Sequence, residues 1–388
     1  MKGTRLHIAL FSDGIFPFTM GGMQKHTTNL VKNLAKNNVR VSLFTSFPGG
    51  FNREKLKEVF TTAELENIVV YSVPFPKVPS YPGHYIRQSY LHSKAIYEAM
   101  VKQGFGDIDF IYAQGFAGWY TLGRKRKQKN LPPVGVNFHG LEMYQPAFGR
   151  KNKLSQRLFR PFVKKNIENA DVYFSLGHRL SDIVKKIVPG KKIVEIPVAV
   201  DRNWVDENLE KLPGPEITFV FIGRYERRKG VEELMAALNA LDRPLPFHFI
   251  GDLPVSVTSQ LHNRSKAVFH GVITNEKKIM DILRQCDVLV CPSYSEGMPT
   301  VILEAMARSL AVLATDVGAI NELVDQRNGW IISPGNIHEL SQSLMEAAAI
   351  GRRELSSKQA FSHKKLARGF TWDAVIQRTI TEIKQLVS

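Results

Sequence analysis

The feature that most constrains this chain is an alternation that lapses and then restarts. From "LHIALFSDG" onward, apolar runs of strand length trade places with segments of helical period. "GMQKHTTNLVKNLAKN" is followed by "VRVSLFTSF", then by "NIVVYSV", "IDFIYAQG", "PVGVNFHG" and "ADVYFSLG". Strands separated by helical stretches form mostly parallel sheets covered on both faces, because a parallel crossover needs a dozen or more residues. Near residue 197 the pattern changes, and "GKKIVEIPVAVDRNWVDENLEKLPGPE" carries Pro213 and Pro215 into a second series. The alternation then resumes with "EITFVFIGR", "GVEELMAALNAL", "FHFIGD", "AVFHGVI", "EKKIMDILRQ", "CDVLVCPS", "VILEAMARS" and "LAVLATDVG". This predicts two α/β domains, residues 1–197 and roughly 201–365, and 388 residues suffice for a core in each. The final "FTWDAVIQRTITEIKQLVS" puts Trp372, Val375, Ile380 and Ile383 on one helical face. Periodicity alone does not say which domain that face covers.

Composition narrows the partners. With 44% apolar and 23% charged residues the chain reads as soluble and globular. The two cysteines, Cys286 and Cys291, flank the run Val288-Leu289-Val290 and offer neither a disulfide framework nor metal spacing, so a reducing cytoplasm is expected. The beginning, "MKGTRLHIALFSDGIFPF", has basic residues and an apolar run. Asp13 interrupts that run and no small-residue cleavage site follows, which favours a first strand over a signal segment. No uninterrupted apolar stretch reaches the length of a membrane span.

The formal charge of +16 is uneven: residues 1–200 hold 30 Lys+Arg against 13 Asp+Glu, and residues 201–388 hold 22 against 23. Such asymmetry points to an anionic partner docking on the first half. The excess is concentrated in "RKRKQK" (Arg124 to Lys129) and in "GRKNKLSQRLFRPFVKK". In the latter, Leu154, Leu158 and Phe159 interleave with Arg150, Lys151, Lys153, Arg157, Arg160, Lys164 and Lys165. A solvated helix accounts for this pattern, and so does a surface lying on anionic lipid. No RNP, KH or zinc-finger pattern is present, and nucleic acid is not expected as a partner.

Two stretches carry residue types suited to phosphate and sugar chemistry. "GRYERRKG" follows a predicted strand and leads into a helix, with Arg224 at the strand end and Lys229 five positions on. An arginine fork and a movable lysine charge make an anion clamp, although a solvated basic loop has the same composition. Arg227 and Arg228 read as surface charges. "SEGMPTVILEAMA" places Glu296 and Glu304 on either side of a turn and a helix start. Gly297 permits close backbone approach and Pro299 suits a first helical turn, whose free N–H groups accept phosphate oxygens. Carboxylates beside such a nest need donors of their own, and sugar hydroxyls supply them. Taken singly, a buried ion pair explains Glu304 and a favourable helix-start charge explains Glu296.

Together these blocks resemble the signature of the retaining glycosyltransferase family 4, of GT-B fold. "GG" near the start, "NFHG" in mid-domain and the last aromatic-bearing helix extend the likeness over nearly the whole chain. The resemblance implies an α/β GT-B architecture, two Rossmann-like domains whose parallel sheets face a central cleft, residues 1–197 binding the acceptor and 201–365 the nucleotide-sugar, with residues 371–388 returning to the first domain. It implies that Arg224 and Lys229 hold the donor diphosphate, that Glu296 contacts the transferred sugar and that Glu304 accepts the ribose hydroxyls. Gly297, Met298, Pro299 and Thr300 would line the sugar and phosphate site, Gly21 and Gly22 the first-domain loop. His139 would stand near the reacting carbon, where a core histidine is the plain alternative. The segment from His270 to Ile273 is a place for the base. Ala199 in "IPVAVD" and the turn "GDLPV" depart from the family pattern without touching the charged groups.

The implied reaction moves a sugar from a UDP- or GDP-linked donor to a glycan or lipid-linked hydroxyl, in surface polysaccharide, lipopolysaccharide or glycolipid synthesis. The nucleotide-sugar is a co-substrate, no cofactor is expected, and no divalent metal is expected to be required. Asp107-Ile108-Asp109 has the form of a metal-holding pair but directly precedes "FIYAQ", so it reads as a solvated strand entrance. The expected location is cytoplasmic, with the basic half on the inner membrane face. A GT-B phosphorylase, a non-catalytic binding protein and a nucleic-acid module are the competing readings.

Overall fold

The computed structural model describes residues 5–388 except 80, 82, 206–213 and 263. Pro213 of the expected linker lies outside the described residues, as do the side chains of Arg150, Lys151, Asn152 and Ser155. The first sheet comprises β1 (His7–Phe11), β2 (Arg40–Thr45), β3 (Ile68–Ser72), β4 (Phe110–Gln114), β5 (Val134–Asn137), β6 (Val172–Ser175) and β7 (Ile193–Glu195). The second comprises β8 (Phe219–Ile222), β9 (Phe247–Ile250), β10 (Ala267–Phe269), β11 (Val288–Cys291), β12 (Ala311–Thr315) and β13 (Gly329–Ile332). The orders are β3-β2-β1-β4-β5-β6-β7 and β10-β9-β8-β11-β12-β13, with every pairing parallel. The two-domain α/β GT-B architecture is therefore present. Two strands escape the periodic pattern. β7 is three residues within a charged segment, and β13 is a four-residue edge strand, "GWII", too short to alternate.

The helices that position the site are α1 (Gly22–Lys36), α2 (His84–Gln103), α3 (Arg150–Asn169), α4 (Val231–Asn239), α5 (Glu276–Arg284), α6 (Thr300–Ala307), α7 (Arg352–Gly369) and α8 (Trp372–Val387). Strand order reverses between β1 and β4 in one sheet and between β8 and β11 in the other. Connections leave in opposite directions there and open a crevice beyond the strand ends. The loops after β1, β5, β8 and β11 all reach it, which is why residues far apart in sequence converge.

The domains are joined at two levels. Leu141, Leu176 and Val198 of the first domain share an apolar cluster with Met298, Val317 and Ala319 of the second. The outgoing and returning chains also pair: Val200 N–H donates to Phe370 O at 3.0 Å and Trp372 N–H to Val200 O at 3.1 Å. Beyond that crossing, α8 buries Trp372, Val375, Ile376, Ile380 and Ile383 in the first-domain core with Leu10, Leu30 and Val194.

Candidate active site

Glu296 is the centre of the cleft. It lies in the loop between β11 and α6 and is 5% exposed. Its Oε1 accepts hydrogen bonds from Lys229 Nζ and from Ser293 Oγ, each at 2.7 Å, and its Oε2 accepts from Arg228 Nη1 at 3.3 Å. Burial pushes this carboxyl up, but the Lys229 and Arg228 charges outweigh it and the net direction is down. Glu296 is therefore an ionised carboxylate held in a dry setting. Gly230 lets the loop carrying Lys229 come this close: it sits at φ 69°, and a Cβ there would lie 2.0 Å from Pro292 O.

The two halves of "GRYERRKG" separate in space. Lys229 reaches Glu296, whereas the Arg224 side chain is 69% exposed and pairs with Glu226 at 2.8 Å. Arg228, expected as a surface charge, instead spans Glu226 at 2.7 Å and Glu296. Arg227 is also no free surface charge. It pairs with Glu232 and Glu233 and lies 3.6 Å from the centroid of Phe148, a first-domain residue. The register of a short 3-10 turn over Arg227–Lys229 decides which cation faces inward, and composition does not report it.

Glu304 sits on α6, buried, one face away from Glu296. Lys25 on α1 reaches across the cleft to Glu304 at 3.5 Å and to Glu276 on α5 at 3.0 Å. Burial raises the Glu304 carboxyl, with Lys25 opposing. No sequence signal marked Lys25, because its partners lie more than 250 positions away. Of the α6 approach, Met298 is buried and its sulfur accepts the Val198 N–H at 3.3 Å. Pro299 caps α6 without a side-chain hydrogen bond, and the Ile302 N–H returns to Pro299 O at 3.1 Å.

From the first domain, His139 follows β5 with φ 56°. Its Nε2 lies 2.6 Å from Gln114 Oε1. Burial and the neighbouring His26 hold its pKa well below the ordinary value, so the ring is neutral at neutral pH. His26 packs edge-on to it at 4.8 Å and is itself lowered to about 4 by burial. Gln145 also crosses the cleft: its Nε2 donates to Glu296 O at 2.6 Å and its Oε1 accepts the Glu296 N–H at 3.4 Å. Gly21 precedes α1, and its missing Cβ leaves room for the Gln24 side chain; a Cβ on Gly22 would meet open space.

Gly297 lies directly against the first domain. A Cβ on it would lie 2.5 Å from His139 O. Gly297→Ala should therefore force the domains apart at a cost of about 1–3 kcal/mol, and lower kcat roughly tenfold to a hundredfold. Thermal unfolding and steady-state kinetics on the folded variant test this, and an unchanged kcat refutes it.

Asp107 and Asp109 stand at the amino end of β4, opposite the cleft. Asp107 pairs with Arg40 at 2.6 Å, and Asp109 accepts the His7 N–H at 2.7 Å. Among the described residues no cluster of three or more His, Cys, Asp or Glu side chains is placed to hold a metal ion.

Comparisons with known proteins bear on the fold and the family. Residues 20–204 match the Glycosyltransferase Family 4 model, and residues 216–349 the model described as Glycosyl transferases group 1. The glycosyltransferase TuaC of Bacillus subtilis, named for teichuronic acid biosynthesis, is 30% identical over 199 residues, 49% of this chain and 50% of that protein. The matched stretch thus spans half of that relative. An uncharacterized glycosyltransferase of Methanocaldococcus jannaschii is 25% identical over 366 residues, 93% of each chain. In fold, sucrose-phosphate synthase from Thermosynechococcus elongatus superposes with TM-score 0.77 at 17% identity, covering 98% of this chain and 99% of that one. With both sheets, the cleft and the two family matches in agreement, the chain belongs to the family-4 glycosyltransferases and is a transferase of GT-B fold.

Proposed function

We propose that this enzyme transfers a sugar from a UDP- or GDP-sugar to a hydroxyl of a glycan or lipid-linked acceptor with retention of anomeric configuration. The observation that carries the reading is Glu296: a buried carboxylate flanked by Lys229 and Arg228, below an uncapped helix start and facing His139 of the other domain. Breaking the sugar–nucleotide bond leaves charge on the diphosphate. Lys229, Arg228 and the α6 N–H groups stand where that charge develops. Arg224, turned to solvent beside this loop, joins them by rotating toward the phosphates. Glu304 accepts the ribose hydroxyls, displacing Lys25.

The lone pairs of Glu296 are already engaged by two cations and Ser293. Such a carboxylate binds sugar hydroxyls better than it attacks carbon, so front-face transfer is favoured over a double displacement. The departing phosphate oxygen takes the acceptor proton. Domain contact through Gly297 and Gln145 keeps water out and limits donor hydrolysis. The cation set and the helix start supply the leaving-group stabilisation, and no divalent metal is required.

The basic half fits a peripheral role at an anionic membrane face in surface polysaccharide, lipopolysaccharide or glycolipid synthesis. On α3, Leu154 and Leu158 are 65% and 50% exposed beside the exposed Lys153 and Arg157. No helix among the described residues is long and apolar enough to cross a membrane. Anionic charge would attract this face while its leucines enter the headgroup layer.

The test is a panel of UDP- and GDP-sugars, read as thermal protection, donor turnover with and without EDTA, and product anomeric configuration by NMR. One donor should protect and turn over equally in EDTA, with its configuration kept. Inversion, or loss of turnover in EDTA, overturns the mechanism. Sedimentation with anionic but not neutral vesicles at low salt tests the membrane face.

A further inference from the structure

The cleft continues past His139 into the first domain as a cavity of about 340 Å³, within the range of small-ligand sites. Its charged lining is lopsided. Asp13, Glu142 and Glu296 supply three carboxylates, and Arg228 supplies the one cation. Glu296 and Arg228 belong to the donor side. Asp13, after β1, and Glu142, in the turn after His139, are left over, and the reaction described above uses neither. Burial pushes both carboxyls up; Gln24, donating to Asp13 at 2.9 Å, and Arg228, near Glu142, only partly oppose it.

The rest of the lining is mixed rather than basic. His92 and Gln114 are 2% and 1% exposed, both line the cavity, and their Nε2 atoms have no hydrogen-bond partner among the described residues. Ser89 and Tyr85 add hydroxyls, and the rings of Phe116 and Phe138 add apolar faces. A phosphate at neutral pH is chiefly a hydrogen-bond acceptor and always carries net negative charge, which a lining of carboxyl groups with Arg228 as its cation leaves poorly compensated. A sugar ring does the opposite. Each hydroxyl donates and accepts, so it satisfies a carboxylate, an amide N–H and an imidazole at once, while its C–H face lies on an aromatic ring.

We infer that this cavity is the acceptor subsite and that it takes a neutral sugar ring, recognised through Asp13, Glu142, Gln114 and His92, rather than a phosphate or phosphorylated sugar. The inference rests on the glycosyl-transfer reading and narrows it. A lipid diphosphate carried by the acceptor then lies outside the cavity, toward the basic α3 face, with only the terminal sugar inside. Charge is segregated accordingly: carboxylates line the pocket and cations the outer surface.

The test uses the full chain with saturating UDP or GDP, whichever raises its melting temperature. Saturation-transfer NMR and calorimetry compare methyl glucoside, galactoside and mannoside with the matching hexose 6-phosphates and with inorganic phosphate. At least one methyl glycoside should bind about tenfold more tightly than its phosphorylated counterpart, one decade reflecting one unpaired or repelled polar contact. Asp13→Asn and Glu142→Gln should weaken the neutral ligand and narrow that preference. Should either variant fail to fold, Ser89→Ala, which leaves every charge in place, should weaken the glycoside without changing the preference. Tighter binding of the phosphorylated sugar or of phosphate overturns the inference. So does a wild-type chain that turns over a nucleotide-sugar yet contacts no glycoside, and that outcome leaves the transferase reading intact. A chain that neither binds nor turns over any nucleotide-sugar overturns the transferase reading instead.

Discussion

Lys229→Ala should reduce transfer about a hundredfold to a thousandfold, mainly in kcat. Lys229 Nζ is 2.7 Å from Glu296 and its side chain is 16% exposed, so the charge acts in a largely dry site. Removing one preorganised donor from such a position costs about 3–4 kcal/mol of transition-state stabilisation. A second effect follows from Glu296. Its carboxyl is pulled down chiefly by Lys229, against a burial that pushes it up. Without the lysine, burial gains ground and the carboxyl rises, with Arg228 and Ser293 left to hold the charge. The sign is fixed: the variant's remaining activity should fall off at a higher pH than the wild type's as pH is lowered, because protonation of Glu296 sets in earlier. Stability should also drop, since removing one partner of a buried pair leaves an under-compensated charge. Arginine should not restore the rate, because a planar guanidinium cannot replace the compact ammonium that shares Glu296 Oε1 with the Ser293 hydroxyl. Rate against pH for wild type, alanine and arginine variants measures all of this. A Lys229→Ala enzyme within threefold of wild type would remove the lysine from the reaction.

Ending the chain at residue 370 should unfold the first domain, although the missing segment follows the second. Trp372, Val375, Ile376, Ile380 and Ile383 are buried in the first-domain core. At about 1.5–3 kcal/mol for each buried side chain, their loss is comparable to the whole stability of a domain, about 5–15 kcal/mol. That sum is an upper figure, since an unfolded chain already buries some apolar surface. The expected result is an insoluble or protease-sensitive product. A milder Ile383→Ala should stay folded and lose about 2–5 kcal/mol. The helix also approaches His139. The Trp372 ring lies 5.5 Å from His26, which packs on His139, so Trp372→Ala should lower kcat as well as stability. A truncated chain with wild-type melting temperature and monomeric solution behaviour refutes the assignment.

The difference between these two predictions shows what could be read early. Glu296, Gly297 and Glu304 were legible because a glycine turn, a helix start and paired carboxylates are local features, written within a dozen residues. Strands β1 to β6 were legible for the same reason: their apolar runs are continuous, and all but the partly exposed edge strand β3 are almost wholly buried. Arg228 was misread as a surface charge, because a 3-10 turn rather than residue type decides which of three consecutive cations faces inward. Lys25, Gln145, Asp13 and Glu142 carried no local mark at all. Each is an ordinary polar residue: Lys25, Gln145 and Glu142 face charged or polar groups of the other domain, and Asp13 meets Gln24 only once the chain turns from β1 into α1.

Local patterns were enough for the class of fold, two successive α/β units with parallel sheets, and for the block that most distinguishes the family. Periodicity and turn chemistry act over a few residues, so they survive in one dimension. Folding in three dimensions settles which cations meet Glu296, that Gly297 abuts His139, and that a carboxyl-lined cavity lies behind a basic exterior. Those facts depend on where strand order reverses and how two sheets face each other. Contacts across a cleft are long-range Coulombic and steric events, and no local pattern encodes them.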